Sequence, residues 1–367
     1  MTNRYARQIV LPEIGHEGQK KLRAASVLYI GAGGLGSSAL QYLVAAGIGR
    51  IGLVDDDIVD FSNLQRQVLF KERDQGILKV KAAAKTLAQL NSECCLEPHA
   101  ERFIAANAER LITDYDIIID GTDNFGSKFL INDACAKYGK PLVYGSILRF
   151  EAQVSVFWAM HGPCYRCLYP KPPSGHIPNC AEAGIVGAVA GITGTVQALE
   201  AVKMALGLTW CREKNLEPLL GRLWILDAHN MQTRLLTIPR RPACTVCSGN
   251  PDGITLEDSG QVCVNKTAVR NINTEEAAKM VGKAYFIDVR ETHELVAGKI
   301  PGALHIPLGK LLKDKDSVRE MSSRAPIIVY CQHGMRSLSA ASYLVTLGFT
   351  DVAHLSGGVS DWPKKLT

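Results

Sequence analysis

From Val27 to Asp55 the chain reads VLYIGAGGLGSSALQYLVAAGIGRIGLVD. A short apolar run breaks into Gly31-Ala-Gly33-Gly34-Leu-Gly36, an Ala/Leu-rich stretch of helical period follows, and a second apolar run ends on Asp55. The order is strand, glycine turn, helix, strand, with an acid about 20 residues beyond the glycines, the pattern of a nucleotide-binding βαβ unit. Glycine permits the tight turn and a close backbone approach to phosphate. The helix N-terminus offers unpaired N–H groups, and the acid can hold ribose hydroxyls. The pattern alone does not say which nucleotide is bound.

A chain of 367 residues is long enough for two domains. Its 47% apolar and 21% charged residues are those of a soluble globular protein. The net charge of +5 comes without any Lys/Arg run interleaved with aromatics, which argues against a nucleic-acid partner. MTNRYARQIVLPEIG lacks the apolar core of a signal peptide. The longest uncharged stretch, Gly184 to Leu199, is too short to span a bilayer and reads as a buried helix, so no membrane role is expected. Eleven cysteines, an odd number, point to a reducing compartment and thus to a cytoplasmic protein.

Further along, helices are expected near Gly18 to Ala25, Lys79 to Leu90 and Phe129 to Tyr138. Buried strands are expected at Tyr115 to Asp120 and Pro141 to Gly145, and the alternation indicates a parallel sheet. Gln153 to Trp158 and Gly221 to Leu226 would extend it in antiparallel sense. Residues 170–180, PKPPSGHIPNC, read as a loop, and Ser248 to Gly260 as a linker. Beyond it, strands at Ala284 to Val289, Pro326 to Tyr330 and Asp351 to Leu355, with a helix at Ala340 to Gly348, outline a smaller α/β domain. The expected division is 1–248, a linker at 249–261, and 262–367.

A nicotinamide-dependent dehydrogenase is the simplest use of the glycine turn, but the charges argue otherwise. Arg66 follows the second strand, Lys79 opens the next helix, and Asp123 stands where a further strand ends. Two cations and a carboxylate suit a triphosphate with Mg²⁺. Here the chain resembles the MoeB/ThiF family, prokaryotic relatives of ubiquitin-activating enzymes. The matching stretches are Arg4-Tyr-Ala-Arg-Gln8, Gly31 to Gly36, Ser62-Asn-Leu-Gln-Arg-Gln67, Lys79, Gly121-Thr-Asp-Asn124 and two CxxC pairs. The resemblance covers residues 1–250 and implies a Rossmann-like domain that uses ATP and Mg²⁺ to adenylate the C-terminal Gly-Gly carboxylate of a small ubiquitin-like sulfur carrier. It implies ATP-binding roles for Gly34, Asp55, Asn63, Arg66, Lys79 and Asp123, with Gly31, Gly33, Gly36, Ser62 and Asn124 in the same set. Arg7 matches an arginine that reaches the partner subunit's phosphates, which implies a homodimer.

Cys164-Tyr-Arg-Cys167 and Cys244-Thr-Val-Cys247 have zinc-knuckle spacing and suit a structural Cys₄ zinc, although the pairs are far apart in sequence. Four buried free cysteines are the alternative. Cys180, alone before a helix, sits where the family carries a transfer cysteine used by only some members. An inert loop thiol is the competing reading. Cys94, Cys95, Cys135, Cys211 and Cys263 are expected to be structural.

In the second domain, Cys331-Gln-His-Gly-Met-Arg336 lies between a strand and a helix starting near Ser337, where backbone N–H groups can stabilise a thiolate or persulfide. A phosphatase would have five residues between Cys and Arg, and here there are four. Together with Phe286-Ile-Asp-Val-Arg-Glu291, Gly298-Lys-Ile-Pro-Gly-Ala303, Leu355-Ser-Gly-Gly358 and Trp362, the loop resembles rhodanese (sulfurtransferase) domains over 262–367. That implies a persulfide on Cys331, fed by a persulfide source or by thiosulfate. The two resemblances imply one pathway to a carrier thiocarboxylate. A MoaD-like carrier in molybdopterin synthesis is the first expectation. Carriers for thiamine, cysteine or tRNA thiolation are alternatives, as is a non-catalytic carrier-binding scaffold.

Overall fold

The computed structural model describes residues 4–172, 184–258 and 269–362, apart from 320, 324 and 333. The described chain divides into two compact units, one ending by residue 258 and one beginning at 269.

The first unit is built on one eight-stranded sheet. Its strands are β1 (Ser26–Ile30), β2 (Arg50–Val54), β3 (Cys95–His99), β4 (Ile117–Asp120), β5 (Leu142–Leu148), β6 (Glu151–Phe157), β7 (Arg222–Asp227) and β8 (Gln232–Thr237). They lie in the order β3-β2-β1-β4-β5-β6-β7-β8. The first five are parallel and the last three run antiparallel. Strand β1 is buried along its whole length, as a strand covered on both faces must be. From β1 the chain winds out to β3, then crosses back to β4 on the other side. The ends of β1 and β4 therefore meet at the switch point where open α/β sheets bind ligands.

The helices are α1 (Ala6–Ile9), α2 (Gly15–Ala24), α3 (Gly34–Ala46), α4 (Lys79–Leu90), α5 (Ala105–Thr113), α6 (Phe125–Lys137), α7 (Tyr165–Leu168), α8 (Gly187–Leu206) and α9 (Leu208–Glu213). One core, with Leu22, Leu40, Leu43, Val80, Leu87 and Ala201, lies under α2, α3, α4 and α8. Another, with Leu111, Ile112, Phe129 and Leu130, lies under α5 and α6. Each fully buried side chain of this kind contributes about 1.5–3 kcal/mol. Helix α3 ends at Gly47, whose φ of 85° only glycine adopts without strain. Helices α3 and α8 approach closely because Gly194 has no side chain: a Cβ there would run into Leu35 O and Ser38 Oγ.

The start of the expected linker is not free. Residues 251–253 form a 3₁₀ turn, and Ile254 is buried beside Cys164, Cys167, Cys244 and Cys247. Lys137 Nζ donates to Ile254 O at 2.8 Å, and Asp258 accepts from the N–H of Ala105, opening α5, at 2.8 Å. Polar composition suggested a spacer here, but one buried isoleucine and two hydrogen bonds hold residues 251–258 to the first unit.

The second unit is a five-stranded parallel sheet. Its strands are β9 (Val269–Ile272), β10 (Tyr285–Asp288), β11 (Leu304–His305), β12 (Ile327–Tyr330) and β13 (Val352–Leu355), in the order β11-β10-β12-β13-β9. Helices α10 (Thr274–Ala278), α11 (Leu308–Lys313) and α12 (Met335–Thr346) accompany it. Val329, Ala340, Ala341 and Leu344 form the core on one face, and Phe286, Ile328, Leu355 and Trp362 that on the other. Helix α12 begins at Met335, two residues before the start near Ser337 expected after the Cys331 loop, so only a short loop separates it from β12.

Candidate functional sites

At the end of β1, Gly31 has φ 95°, and a Cβ there would press on Gly121 C and O at 3.0 Å. The two strand-end loops pack backbone to backbone, which only glycine allows. Gly36 is closed in the same way by Gly31 O at 3.0 Å, while Gly33 and Gly34 face the segment 66–67. Asp55 accepts from Ala32 N at 2.8 Å and Asp57 N at 2.9 Å, so it braces the glycine turn. Burial raises its pKa, against the opposing pull of Lys79. Lys79 is itself buried, with Nζ 2.8 Å from the exposed carboxylate of Asp57.

The segment carrying Ser62, Asn63 and Arg66 folds over the same loop. Asp60 caps it, accepting from Ser62 N at 2.8 Å, and Asn63 Oδ1 accepts from Asp60 N at 3.3 Å. Arg66 donates from Nη1 to Ser62 O at 3.0 Å, and its Cγ lies 3.7 Å from where a Gly34 Cβ would stand. Across the switch point, Asp123 is exposed, with no hydrogen-bond partner among the described residues. Asn124 Oδ1 accepts from Ser127 N at 2.8 Å and so caps α6. The expected residues other than Arg7 and the cysteines thus stand on or beside the loops that follow β1, β2 and β4, and Asn124 caps α6. Arg7 stands apart, exposed on α1.

Three residues that sequence reasoning passed over, Lys128, Asp120 and Gln197, form a buried polar network at the end of β4. Lys128 Nζ lies 2.8 Å from Asp120 Oδ2 and 2.7 Å from Gly145 O, with both ionic side chains buried. Asp120 Oδ1 accepts from Thr122 N at 2.9 Å and Thr122 Oγ1 at 2.6 Å, which fixes the turn before Asp123. Gln197 of α8 donates to Asp120 O at 2.7 Å. A signal was available for Gln197, a polar residue inside an otherwise apolar, uncharged stretch.

The four CxxC sulfurs meet despite the long sequence gap. All lie within 4.8 Å of one another and are buried, with Cys164 to Cys244 at 3.6 Å and Cys167 to Cys247 at 3.4 Å. Tetrahedral zinc with bonds of about 2.3 Å needs sulfurs about 3.8 Å apart. Burial drives the Cys164 thiol up and Cys247 up to about 11. Burial also raises Cys244, but N–H groups of Cys247 and Val246 outweigh it and bring that thiol down to about 7. Four buried thiolates need a cation to coexist, and this donor set fits structural zinc. Cys94, Cys135 and Cys211 are buried and Cys95 is exposed on β3. Cys180 and Cys263 lie outside the described residues.

In the second unit Cys331 follows β12, with its sulfur accepting from Gly334 N at 3.2 Å. Gly334 has φ 90°, and a Cβ would strike Ser356 O, so the loop closes under the Leu355-Ser-Gly-Gly358 turn. Arg336 pairs with Glu294 through two 2.6 Å contacts, and Arg290 with Asp288 at 2.7 Å, both of the latter fully buried. Each guanidinium is neutralised and spent on holding the loop. The sulfur keeps an amide contact, from Gly334 N–H, suited to an anionic persulfide.

Comparison with known proteins covers nearly the whole chain. A family model described as ThiF family matches residues 5–246, and one described as Rhodanese-like domain matches residues 273–365. The probable adenylyltransferase/sulfurtransferase MoeZ of Mycobacterium tuberculosis is 39% identical over 99% of this chain and 93% of its own length. The adenylyltransferase and sulfurtransferase MOCS3 of Bos taurus is 37% identical over 99% and 86%. A crystal structure of E. coli MccB with MccA-N7isoASN shares the fold, with a TM-score of 0.59 at 22% identity over 67% of this chain and 74% of that one. No helix among the described residues is long and apolar enough to cross a membrane.

Proposed function

The chain belongs to the ThiF family and carries a rhodanese-like domain, the makeup of an adenylyltransferase and sulfurtransferase, and from this we propose how its units share one reaction sequence. The first unit adenylates the C-terminal Gly-Gly of a ubiquitin-like sulfur carrier. The second delivers sulfur to the activated carbonyl, leaving a thiocarboxylate. The observation that carries this reading is the joint presence, in one chain, of a glycine turn closed against the end of β4 and a buried thiol that accepts from Gly334 N–H. We assign the carrier to the MoaD-like class that serves molybdopterin synthesis.

In the first step a carrier carboxylate oxygen attacks the α-phosphorus of ATP and pyrophosphate leaves. Two anions must approach, so the barrier is electrostatic. Lys79 and Arg66 offset the repulsion from the chain's own cleft. Arg7, exposed on α1, is free to reach the same phosphates on a second copy, which makes a homodimer the working unit. Asp123 is the residue we assign to Mg²⁺, which would supply further neutralisation of phosphate charge. Glycines 31, 33, 34 and 36 let the backbone close on the nucleotide, and Ser62 and Asn63 shape the wall. Zinc on the four cysteines leaves no open position, so its role is to pin the segment 244–258 to the sheet.

In the second step the Cys331 persulfide attacks the acyl carbon and AMP leaves, giving an acyl disulfide. A thiolate attacking the Cys331 sulfur then expels the thiocarboxylate and leaves a disulfide that an external dithiol reduces. Cys180 is our candidate for that thiolate. ATP–pyrophosphate exchange tests the first step. Exchange that needs a carrier ending in Gly-Gly, and stops when its last glycine is removed, is expected. Exchange indifferent to the carrier, or none with any carrier, would overturn the assignment.

A further inference from the structure

Behind Cys331 runs a polar line that the sulfur step above does not use. Cys331 Sγ lies 3.7 Å from Ser337 Oγ, on the first turn of α12. Ser337 Oγ is 2.8 Å from Gly334 O and 3.3 Å from His354 Nδ1. His354 Nε2 in turn is 2.7 Å from Asn271 Oδ1. Asn271 and His354 are register partners on β9 and β13, so the strand pairing itself sets this last contact. Cys331, Ser337 and His354 are 1%, 0% and 5% exposed, which keeps bulk water away from the line.

We propose that Ser337 and His354 form a proton relay that draws the thiol proton off Cys331, so that the sulfur nucleophile is made inside the loop. With Asn271 Oδ1 as acceptor, Nε2 carries the imidazole hydrogen and Nδ1 is a bare acceptor. The Ser337 hydroxyl turns from Gly334 O, to which it donates, towards Nδ1; the Cys331 S–H proton then passes to Ser337 Oγ while the Ser337 hydroxyl proton passes to Nδ1. The result is a thiolate accepting from Ser337 O–H and Gly334 N–H, and an imidazolium held by Ser337 Oγ and Asn271. No net charge enters the core, which is why a buried site can host the step. The thiolate then attacks the sulfane sulfur of thiosulfate or of a persulfide donor. One S–S bond forms, the donor's bond breaks, and sulfite or a thiolate leaves with the electron pair.

Among the described residues no other base faces the imidazole. From β9 the imidazole meets Asn271. The neighbouring Arg270 is paired with Asp351 at the surface. From β12 it faces Val329 in register, with Cys331 two residues on, and from α12 it meets Ser337. Glu294 is engaged by Arg336 and Asp288 by Arg290. Burial holds the His354 pKa below the usual imidazole value, against a smaller upward pull from the Gly334 backbone. The ring is therefore neutral at neutral pH, which leaves Nδ1 unprotonated. Ser337 and His354 are positioning residues, since only Cys331 touches the sulfur.

The relay rests on Cys331 being the sulfur carrier, and its test reads the thiol alone, so that failure of the relay and failure of sulfur transfer are separable. Full-length wild type, S337A and H354F are alkylated with iodoacetamide across a pH series, and modification is read by mass on the Cys331 peptide. The wild-type midpoint is expected to lie about one pH unit or more below that of either variant, a loss of about tenfold in rate at a fixed pH on the rising limb. A packing role alone would scale the rate at every pH and leave the midpoint in place. If H354F does not fold, S337A decides. An S337A profile with the wild-type midpoint, or wild type with no pH-dependent alkylation, overturns the relay.

Discussion

Lys128 and Lys79 are both buried lysines of the first unit and do different work. Lys128 is buried against Asp120, also buried, and together they fix the turn that presents Asp123. Replacing it with Met strands a carboxylate in the core. K128M should lose about 3–5 kcal/mol of stability in urea unfolding. Lys79 pairs with an exposed Asp57, so K79M should cost under about 1 kcal/mol. It should nevertheless lower carrier-dependent pyrophosphate exchange by about 100-fold or more, the usual scale for removing one preorganised charge. A K79M enzyme that keeps its exchange would remove this lysine from the site. Lys79 was legible in the sequence because it opens the helix that follows the second strand and matches the family resemblance. Lys128 was not, since a single lysine on a helix reads as a solvated side chain until the fold shows it buried. Ser337 and His354 were hidden for a related reason: their meeting depends on strand register across the second unit.

At the scale of elements, apolar runs and glycine turns disclosed most of what positions the sites. The strands that escaped are β9, with only its end residues Val269 and Ile272 buried, the two-residue β11, and β3 and β8, which have no buried residue. Strand β8, QTRLLT, is exposed at every residue, and β3 carries Glu97 and Pro98 on an edge, so neither shows an apolar run. The CxxC pairs gave the metal-ligand spacing, but only the packing of α7 against residues 244–247 shows that the four sulfurs close on one point. This element is expected to be structural alone. C247S, or stripping the metal with a strong chelator, should lower the thermal midpoint of the first unit and abolish stoichiometric zinc. Alkylation of Cys331 should keep its rate and pH midpoint. Loss of Cys331 reactivity on zinc removal would contradict a role confined to the first unit.

For the molecule as a whole, the two domains were readable because each keeps its chemistry where its sheet ends, in short motifs fixed by backbone geometry. The position at which the first unit stops was less readable. Ile254 and Asp258 look like spacer residues, and only their burial and hydrogen bonding tie them to the sheet and to α5. Identity of 39% to an adenylyltransferase/sulfurtransferase along nearly the full length accords with a single chain performing both steps. Intact-mass analysis of a carrier ending in Gly-Gly, incubated with the enzyme, ATP, Mg²⁺, a reductant and thiosulfate or a persulfide donor, tests that claim most directly. Wild type should raise the carrier mass by the exchange of one carboxyl oxygen for sulfur. C331S should retain pyrophosphate exchange yet leave the carrier mass unchanged. Thiocarboxylate formed at the wild-type rate by C331S would contradict the account.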